Sequence, residues 1–266
     1  MNNIISSSGL SLCIGAALLL ASCNDQEVKV NSVNVNVTEA LSPERSDSVR
    51  VNVNAEYPVD GLVDSVKNSI CEIIVEATFG SDYSGLSVED AANRWAGDFV
   101  AEHKKANLEL LSEAQSDEAN DMGAGFFSWE NKLEGYFSGR HDNIITYTVS
   151  NYVFEGGAHG STVESSVNID LKTGKQVTEE DFFIPGYKEA LSALLSAHLH
   201  DEMPDQESYD ALFIKDLEPN GNFKVSEQGV TYVYGQYEIG PYYLGIIKVT
   251  LPWNELGDLV REHPTK

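Results

Sequence analysis

The sequence predicts an α+β fold in which largely antiparallel sheets carry helices on one face, arranged as two interlinked subdomains. Three observations support this class. Valines recur between polar residues near residues 30 and 50, which is typical of half-buried strands. Two longer segments then repeat apolar residues at helical spacing. From residue 126 the pattern changes to strands joined by turns, and no parallel β–α–β alternation is recognised.

The first two strands are predicted at residues 28–37 and 49–53. Valine recurs at close to every second position in both, with polar residues between, which is the period of a strand with one buried face. The segment between them, 41–48, contains Pro43 and is predicted to be a loop. Because Asn-rich alternation also suits an extended tether, the first stretch could be tether instead of strand.

Two helices are predicted next. Apolar residues recur three or four apart from Leu62 to Ala77, and Gly80 is a good stop signal. The second helix is expected to start at Ser87, with Asp90 three residues later in a pattern close to a capping box. Its stripe is expected to be core, with the histidine packed or at the rim: Val88, Ala92, Trp95, Phe99, His103, Ala106 and Leu110.

Residues 126–171 are predicted to form three strands joined by turns. The strands are expected at 126–136, 144–155 and 162–171. The turns are expected at 139–143, 156–160 and 172–175, which are rich in Gly, Asn, Asp or Thr.

The rest of the chain is predicted to mix short helices and strands. Thr178, followed by Asp181 three residues later, predicts a capped turn. The later elements are a helix at 187–199, a short helix within the acidic residues 201–218, strands at 230–234 and 245–251 flanking an aromatic loop, and a closing helix at 253–260.

An uncharged apolar run at residues 9–21 predicts export from the cytoplasm. Its length suits a signal-peptide core and is short of the ~20 residues that a membrane-spanning helix needs. The run ends in Leu20-Ala21-Ser22-Cys23, which resembles a bacterial lipobox. The resemblance implies that residues 1–22 are removed and that Cys23 becomes a diacylated N-terminus in the cell envelope, either periplasmic or at the outer membrane or cell surface. The alternative is an ordinary secretory signal that contains a cysteine.

The predicted mature chain is strongly acidic. Residues 1–22 contain no Asp, Glu, Lys or Arg, so the mature chain keeps the formal net charge of −25. Such a charge repels nucleic acid and anionic lipid headgroups and favours cationic partners, although solubility alone could also explain it. Cys13 would leave with the signal, so Cys71 is the thiol left in the folded part. It is expected to be buried and inert, since no base lies nearby in sequence.

One run of the chain resembles the signature of a known family. Residues 152–160, ending in Gly156-Gly157-Ala158-His159-Gly160, resemble the Tyr-x-x-x-Gly-Gly-Ala-His-Gly motif of the RsiV-like extracytoplasmic domain. That domain also forms the non-catalytic N-terminal part of PdaC-type peptidoglycan deacetylases. Further segments are similar in the same order, at 168–175, 178–183 and 229–245.

The lipobox pattern and the RsiV-like resemblance together predict a division of the chain into four parts. They are a lipoprotein signal peptide at 1–22, a tether and possible first strand at 23–47, a small α/β module at 48–120, and the RsiV-like domain at 121–266.

The resemblance implies that the corresponding region of RsiV binds lysozyme outside the cell. That binding exposes an anti-sigma factor to proteolysis. No membrane-spanning or cytoplasmic segment is recognised here, so the anti-sigma role is not expected to transfer. We expect instead a lipid-anchored binding protein that recognises lysozyme or another cationic protein. The alternatives are a module that binds peptidoglycan or another envelope glycan, or a hydrolase whose site is unrecognised.

The candidate ligand-binding residues lie in two segments. Around His159, the glycines Gly156, Gly157 and Gly160 allow positive φ and close backbone approach. This loop is either a tight structural turn whose imidazole bonds nearby backbone, or a rigid loop that presents His159 and free N–H groups to a ligand. The second segment holds tyrosines beside Pro241, and it suits a protein or sugar surface if exposed, or a strand connection if buried: Tyr237, Tyr242 and Tyr243.

Other chemistry is not expected. His159 has no companion at metal-ligand spacing, and His198 and His200 lie two apart on a predicted helix, so their side chains point in different directions. The motifs of serine hydrolases, zinc proteases, phosphate loops and calcium loops are absent from the sequence. No catalytic residue, metal site or cofactor is therefore predicted, and the chain is not expected to be an enzyme.

Overall fold

The structure, a computed structural model, describes residues 27–43, 45–113 and 126–262. The predicted signal peptide, Cys13, the lipidation site Cys23 and the predicted boundary between residues 120 and 121 lie outside the described residues. None of the described helices is long and apolar enough to span a membrane.

The described strands form two sheets. The larger contains β1 (Lys29–Ala40), β2 (Ser48–Asp60), β3 (Trp129–His141), β4 (Ile144–Phe154), β5 (Ser161–Asp170) and β6 (Gln176–Val177), side by side in that order. The smaller contains β7 (Phe223–Ser226), β8 (Gly229–Tyr234) and β9 (Ile247–Pro252), also in that order.

Six α-helices are described, with short 3₁₀ turns between some of them. They are α1 (Asp64–Phe79), α2 (Val88–Glu113), α3 (Glu179–Phe182), α4 (Lys188–Leu199), α5 (Gln206–Asp210) and α6 (Trp253–Leu256). The 3₁₀ turns lie at Ser81–Tyr83, Tyr242–Leu244 and Gly257–Leu259.

The two valine-rich stretches form a long antiparallel hairpin, β1 with β2. The first stretch is therefore a strand and not tether. Val49, Val51 and Val53 are fully or nearly fully buried, whereas Arg50 and Asn52 between them are exposed and partly exposed. The alternation thus buries one face of the hairpin, as the period of two predicts.

The pairing of β2 with β3 is parallel, and the expectation of no parallel β–α–β unit was wrong. The chain leaves the end of β2, passes through α1 and α2, and returns to run beside β2 in the same direction. The other pairs of the larger sheet are antiparallel. The error has a physical reason: the sequence pattern identifies strands and helices, but not which strand lies beside which.

Helices α1 and α2 cover one face of the larger sheet, as predicted. Gly80, at φ 95°, ends α1 and donates its N–H to Glu76 O. Ser87 caps the start of α2, since its Oγ accepts from Asp90 N at 3.1 Å and donates to Asp90 Oδ2 at 2.9 Å.

The buried face of α2 differs in part from the predicted stripe. Ala91, Ala96, Val100 and Asn107 are buried, whereas Leu110 is exposed. Trp95 and Phe99 are half-buried and stack on each other at the margin of the helix. Small side chains let the helix approach the sheet closely, so the large rings are displaced sideways. His103 is packed in the core, as expected, with Nε2 2.9 Å from Phe127 O.

The smaller sheet packs on the opposite face of the larger sheet, through β7. Thr146 Oγ1 on β4 accepts from Val225 N at 2.9 Å, and Asn168 Nδ2 on β5 donates to Phe223 O at 2.9 Å. Helix α4 covers the far side of the smaller sheet and shares a core with it. The buried residues thus form two apolar clusters, one under α1 and α2 and the other around the smaller sheet, in agreement with the predicted α+β class.

Several predicted boundaries need correction. Residues 139–143 are not all turn, because β3 continues through His141 and bends at a bulge between Phe137 and Gly139. A Cβ at Gly139 would lie 2.4 Å from Val225 O, so this glycine allows β7 to approach.

The closing helix predicted at 253–260 ends as α6 at Leu256, because Gly257 takes φ 46°. Strand β7 was not predicted.

A buried ion cluster reinforces the junction between the sheets. Glu164 on β5 is nearly buried, and it pairs with Lys224 on β7 and with Lys248 on β9, the latter at 2.9 Å. Burial by itself raises the pKa of a carboxyl group, but hydrogen bonds and charge from both lysines outweigh it and hold the pKa of Glu164 below 4.5.

We predict that Glu164→Gln lowers the free energy of unfolding by about 3 kcal/mol near neutral pH, since it leaves a buried lysine unpaired. The folded-state pKa of Glu164 is depressed, so its stabilisation is present above pH 4.5 and is lost as the pH falls through the folded pKa. The difference between wild type and variant should therefore shrink in acid. Urea denaturation from neutral pH to about pH 3 measures it. Exposed Glu134→Gln is the control, and a pH-independent difference would contradict the prediction.

Candidate functional site

The loop between β4 and β5 depends on its glycines. Gly156 and Gly157 take φ of 88° and 91°, which side chains rarely adopt. A Cβ at Gly156 would also lie 2.9 Å from Phe126 O. Positive φ is thus confirmed at Gly156 and Gly157 but not at Gly160, and His159 is exposed.

His159 is held by contacts with the β8–β9 connection. Its imidazole stacks on the ring of Tyr242, with ring centroids 3.9 Å apart and planes inclined by 24°. The Gly160 carbonyl accepts from the Tyr242 hydroxyl at 2.7 Å and lies 3.1 Å from His159 Nδ1. A carbonyl can only accept, so Nδ1 carries the proton, and Nε2 has no partner among the described residues. Gly160 is buried against the ring of Tyr152, which a Cβ would overlap.

The predicted tyrosines are not buried under the sheet. Tyr237 and Tyr243 are 59% and 68% exposed, and Tyr242 is half-buried between Tyr237 and His159. Tyr237 has φ 65°, a conformation that costs free energy for a non-glycine residue. The rings of His159, Tyr237, Tyr242 and Tyr243 are named here the aromatic surface. It joins the two segments that the sequence singled out, with Gly156, Gly157 and Gly160 shaping its edge.

Two apolar residues beside this surface were missed by sequence reasoning. Phe213 is 63% exposed and Ile214 is 46% exposed. Their N–H groups donate to Ile239 O, at 2.9 and 3.3 Å, so they lie against the segment that contains the tyrosines. They belong to residues 201–218, which hold seven acidic residues and one lysine and are named here the acidic segment. The sequence signal for these two residues is an apolar pair inside an acidic segment. The sequence alone does not show which other residues lie beside that pair.

A polar cleft adjoins the aromatic surface. It has a volume of about 500 Å³, and its walls are residues 161–166 of β5, residues 220–222, and Gly235, Gln236 and Glu238. Gln236 Oε1 accepts from Thr162 N at 2.8 Å and so ties the two walls together at one end.

A buried carboxylate supports the far wall of the cleft. Glu179 accepts from the hydroxyl groups of Tyr187 and Tyr232 and from Gly221 N, each at 2.8 Å. Burial, followed by the charge of Glu179, raises the pKa of Tyr232, so this phenol stays protonated and keeps donating. Thr178 and Asp181 cap the helix that carries Glu179, as predicted.

The other sequence candidates are separate from this region. His198 Nε2 lies 2.7 Å from Glu255 Oε2, whereas His200 Nε2 lies 3.1 Å from Gln206 Oε1, so the two histidines face different partners. In the described parts of the chain, no three metal-ligating side chains come together. Cys71 is half-buried beside a second cleft, and burial raises the pKa of its thiol, which disfavours the reactive thiolate.

We predict that Tyr242→Phe lowers the free energy of unfolding by about 1 kcal/mol, because it removes one hydrogen bond to Gly160 O and keeps the ring stack. Hydrogen exchange of residues 156–162 should become faster. Denaturation and exchange measured by mass spectrometry test this. Tyr243→Phe is the matched control, since its ring is exposed. Equal effects of the two substitutions would show that the hydroxyl contact does not hold the loop.

Comparison with known proteins agrees with the observed fold. The model of a family described as "Protein of unknown function (DUF3298)" matches residues 180–254. A solved structure of a DUF3298-family member from Bacteroides fragilis has a TM-score of 0.80 at 24% identity, covering 91% of this chain and 96% of that one. A DUF3298-family structure from Pseudomonas aeruginosa has a TM-score of 0.62 at 18% identity, covering 91% and 98%.

None of the curated proteins matches the chain. The finer resemblance to the RsiV-like domain stays a prediction. The chain therefore has the α+β fold of DUF3298-family structures, and its residues 180–254, which include Tyr237 and Tyr242, match the family model itself.

Proposed function

We propose that the chain is a lipid-anchored, extracytoplasmic binding protein that recognises a cationic protein, such as the lysozyme suggested by the RsiV-like resemblance. The observation that carries this proposal is that exposed Phe213 and Ile214 of the acidic segment are bonded, through their N–H groups, to Ile239 in the segment that carries the exposed tyrosines. Contiguous exposed apolar side chains rimmed by polar residues are typical of protein interaction sites.

The side chains of this surface suit protein recognition. Tyrosine and phenylalanine supply large contact areas with few rotatable bonds, so ordering them on binding costs little entropy. Tyr242 and His159 are already held by their stack and by the shared Gly160 carbonyl. A partner's Arg or Lys can lie over an exposed ring while its charge interacts with a nearby carboxylate.

The charge of the chain supports a cationic partner. The formal net charge is −25, and seven acidic residues lie in the acidic segment beside the exposed rings. Long-range attraction would steer a basic protein to this face and raise the association rate at low salt. The same field repels nucleic acid, which we do not propose as a partner.

The N-terminal anchor would hold this domain near a membrane. Only residues 24–28 separate Cys23 from the first residue of β1, Lys29. Six residue steps span at most about 20 Å when fully extended. Acylated at Cys23, the chain would thus keep its domain within roughly one domain diameter of the bilayer surface. The proposal assigns no catalytic residue.

We predict that the protein binds lysozyme with an affinity that falls strongly as salt rises. Combining Phe213→Ala with Tyr243→Ala should weaken binding at least about tenfold, because both rings lose contact area. Titration calorimetry at two salt concentrations measures this.

The control variant is Leu110→Ala, which removes a similarly exposed apolar side chain from α2. Succinylated lysozyme, with its lysine charge reversed, is the control partner. If native lysozyme gives neither heat nor co-elution at low salt, the proposed partner class is wrong.

We also predict that Cys23 is acylated. The full chain expressed in bacteria should incorporate labelled palmitate and fractionate with membranes, and Cys23→Ala should abolish both. Cys13→Ala is the matched control, since this cysteine lies within the predicted signal peptide and should leave the label unchanged. Retention of label in Cys23→Ala would exclude the lipobox.

A further inference from the structure

The polar cleft is bounded by a strand edge that none of the other described strands covers. Strand β5 pairs with β4 along its length, but on its other side the two-residue β6 reaches only Asn168 and Ile169. Residues 161–166 therefore present main-chain groups to the cleft.

Side-chain amides occupy part of this edge. Thr162 N donates to Gln236 Oε1 at 2.8 Å, and Ser166 N donates to Asn222 Oδ1 at 3.0 Å. Asn222 Nδ2 donates in turn to Glu164 O at 2.8 Å. Asn222 thus imitates the paired donor and acceptor of a neighbouring strand. An incoming peptide strand would have to displace both amides, so β-strand addition is disfavoured here.

One donor and one acceptor remain between the two amides. Since Thr162 and Ser166 turn their N–H groups outward, the two-residue period of a strand also turns the Glu164 N–H into the cleft. This N–H has no partner in the described part of the chain. The same period turns the Thr162 carbonyl outward beside it. A ligand in the cleft therefore meets a hydrogen-bond donor and acceptor on one strand edge.

The opposite wall is rigid and polar. Asn220 Nδ2 donates to Glu238 Oε1 and to Val233 O, both at 2.9 Å. Glu238 Oε2 accepts from Gly235 N at 2.6 Å. The Gly221 N–H is held by buried Glu179. Because these groups are already oriented, binding a ligand would order few side chains, which limits its entropic cost.

The lining selects the chemical class of ligand. It contains the carboxylates Glu164 and Glu238 and no lysine or arginine, so an anion such as phosphate is disfavoured. Glu164 is already paired with two lysines, and Glu238 already accepts from Asn220 and from Gly235 N. Neither carboxylate therefore requires a cation from the ligand. Val163 is the one apolar side chain in the lining, which disfavours lipid tails.

We infer that this polar cleft is a binding site for a short, uncharged saccharide. Hydroxyl and acetamido groups both donate and accept, and so match the Glu164 N–H, the Thr162 carbonyl and the amide of Gln236. Exposed Tyr237 lies between the lining residues Gln236 and Glu238 in the chain, and an exposed aromatic ring next to a cleft is a surface on which sugar faces stack. The volume of about 500 Å³ lies within the usual range of ligand pockets.

The test is a titration of the isotope-labelled full chain with N,N′-diacetylchitobiose, followed by amide NMR shifts. The Glu164 amide should show one of the largest saturable shifts, with an affinity of about millimolar. Gln236→Ala should weaken binding at least about tenfold, because the ligand loses a side-chain partner. Gln228→Ala, in the β7–β8 turn outside the cleft, is the matched control and should leave the affinity unchanged.

A second arm separates this site from the protein-binding surface. Phe213→Ala with Tyr243→Ala should leave the saccharide affinity unchanged, so the failure of either proposal can be seen without the other. A trilysine peptide tests for a cationic occupant. The inference is overturned if the disaccharide causes no saturable shift, if its shifts avoid residues 161–166, if Gln236→Ala binds it normally, or if trilysine alone moves the Glu164 amide.

Discussion

The contact between the two sheets through buried polar groups positions most of the features described above. The Thr146 hydroxyl on β4 and the Asn168 amide on β5 satisfy the main chain of β7, which lies across them. Buried polar groups with satisfied partners allow only one arrangement of the sheets, since a shift would leave several of them unpaired. At the same junction, Glu164 forms ion pairs with two lysines of the smaller sheet. The angle between the sheets is therefore set by specific bonds as well as by apolar packing.

This arrangement brings together connections that belong to different sheets. The β4–β5 loop supplies His159, and the β8–β9 loop supplies Tyr242, and both contact the Gly160 carbonyl. The polar cleft has the same origin, because one wall is the edge of β5 and the other belongs to the smaller sheet. Gln236 bonds β5 while its neighbour Tyr237 stands exposed at positive φ. A strained, exposed tyrosine that surrounding contacts hold in place agrees with a role in binding.

The proposed protein-binding surface and the inferred saccharide cleft depend on different kinds of interaction with their ligands. The first depends on apolar contact area and on the charge of the acidic segment, so its affinity should respond to salt. The second depends on hydrogen bonds from fixed, mostly neutral groups, and salt screens charges far more than it affects such bonds. Tyr237 lies beside both. A protein partner that itself carries or covers glycan could engage the two together, with each site contributing a separate part of the binding free energy.

The sequence by itself determined the local elements and the residues of interest. The valine period predicted β1 and β2, and Gly80 and Ser87 marked helix ends. Thr178 and Asp181 formed their capping box, and Gly156 and Gly157 took positive φ. These features depend on neighbours within a few residues, so a local pattern contains them. Only the tertiary structure decided the parallel β2–β3 pairing, the role of Gly139, the exposure of Phe213 and the free edge of β5. Each of these depends on residues far apart in the chain that meet after the sheets have packed.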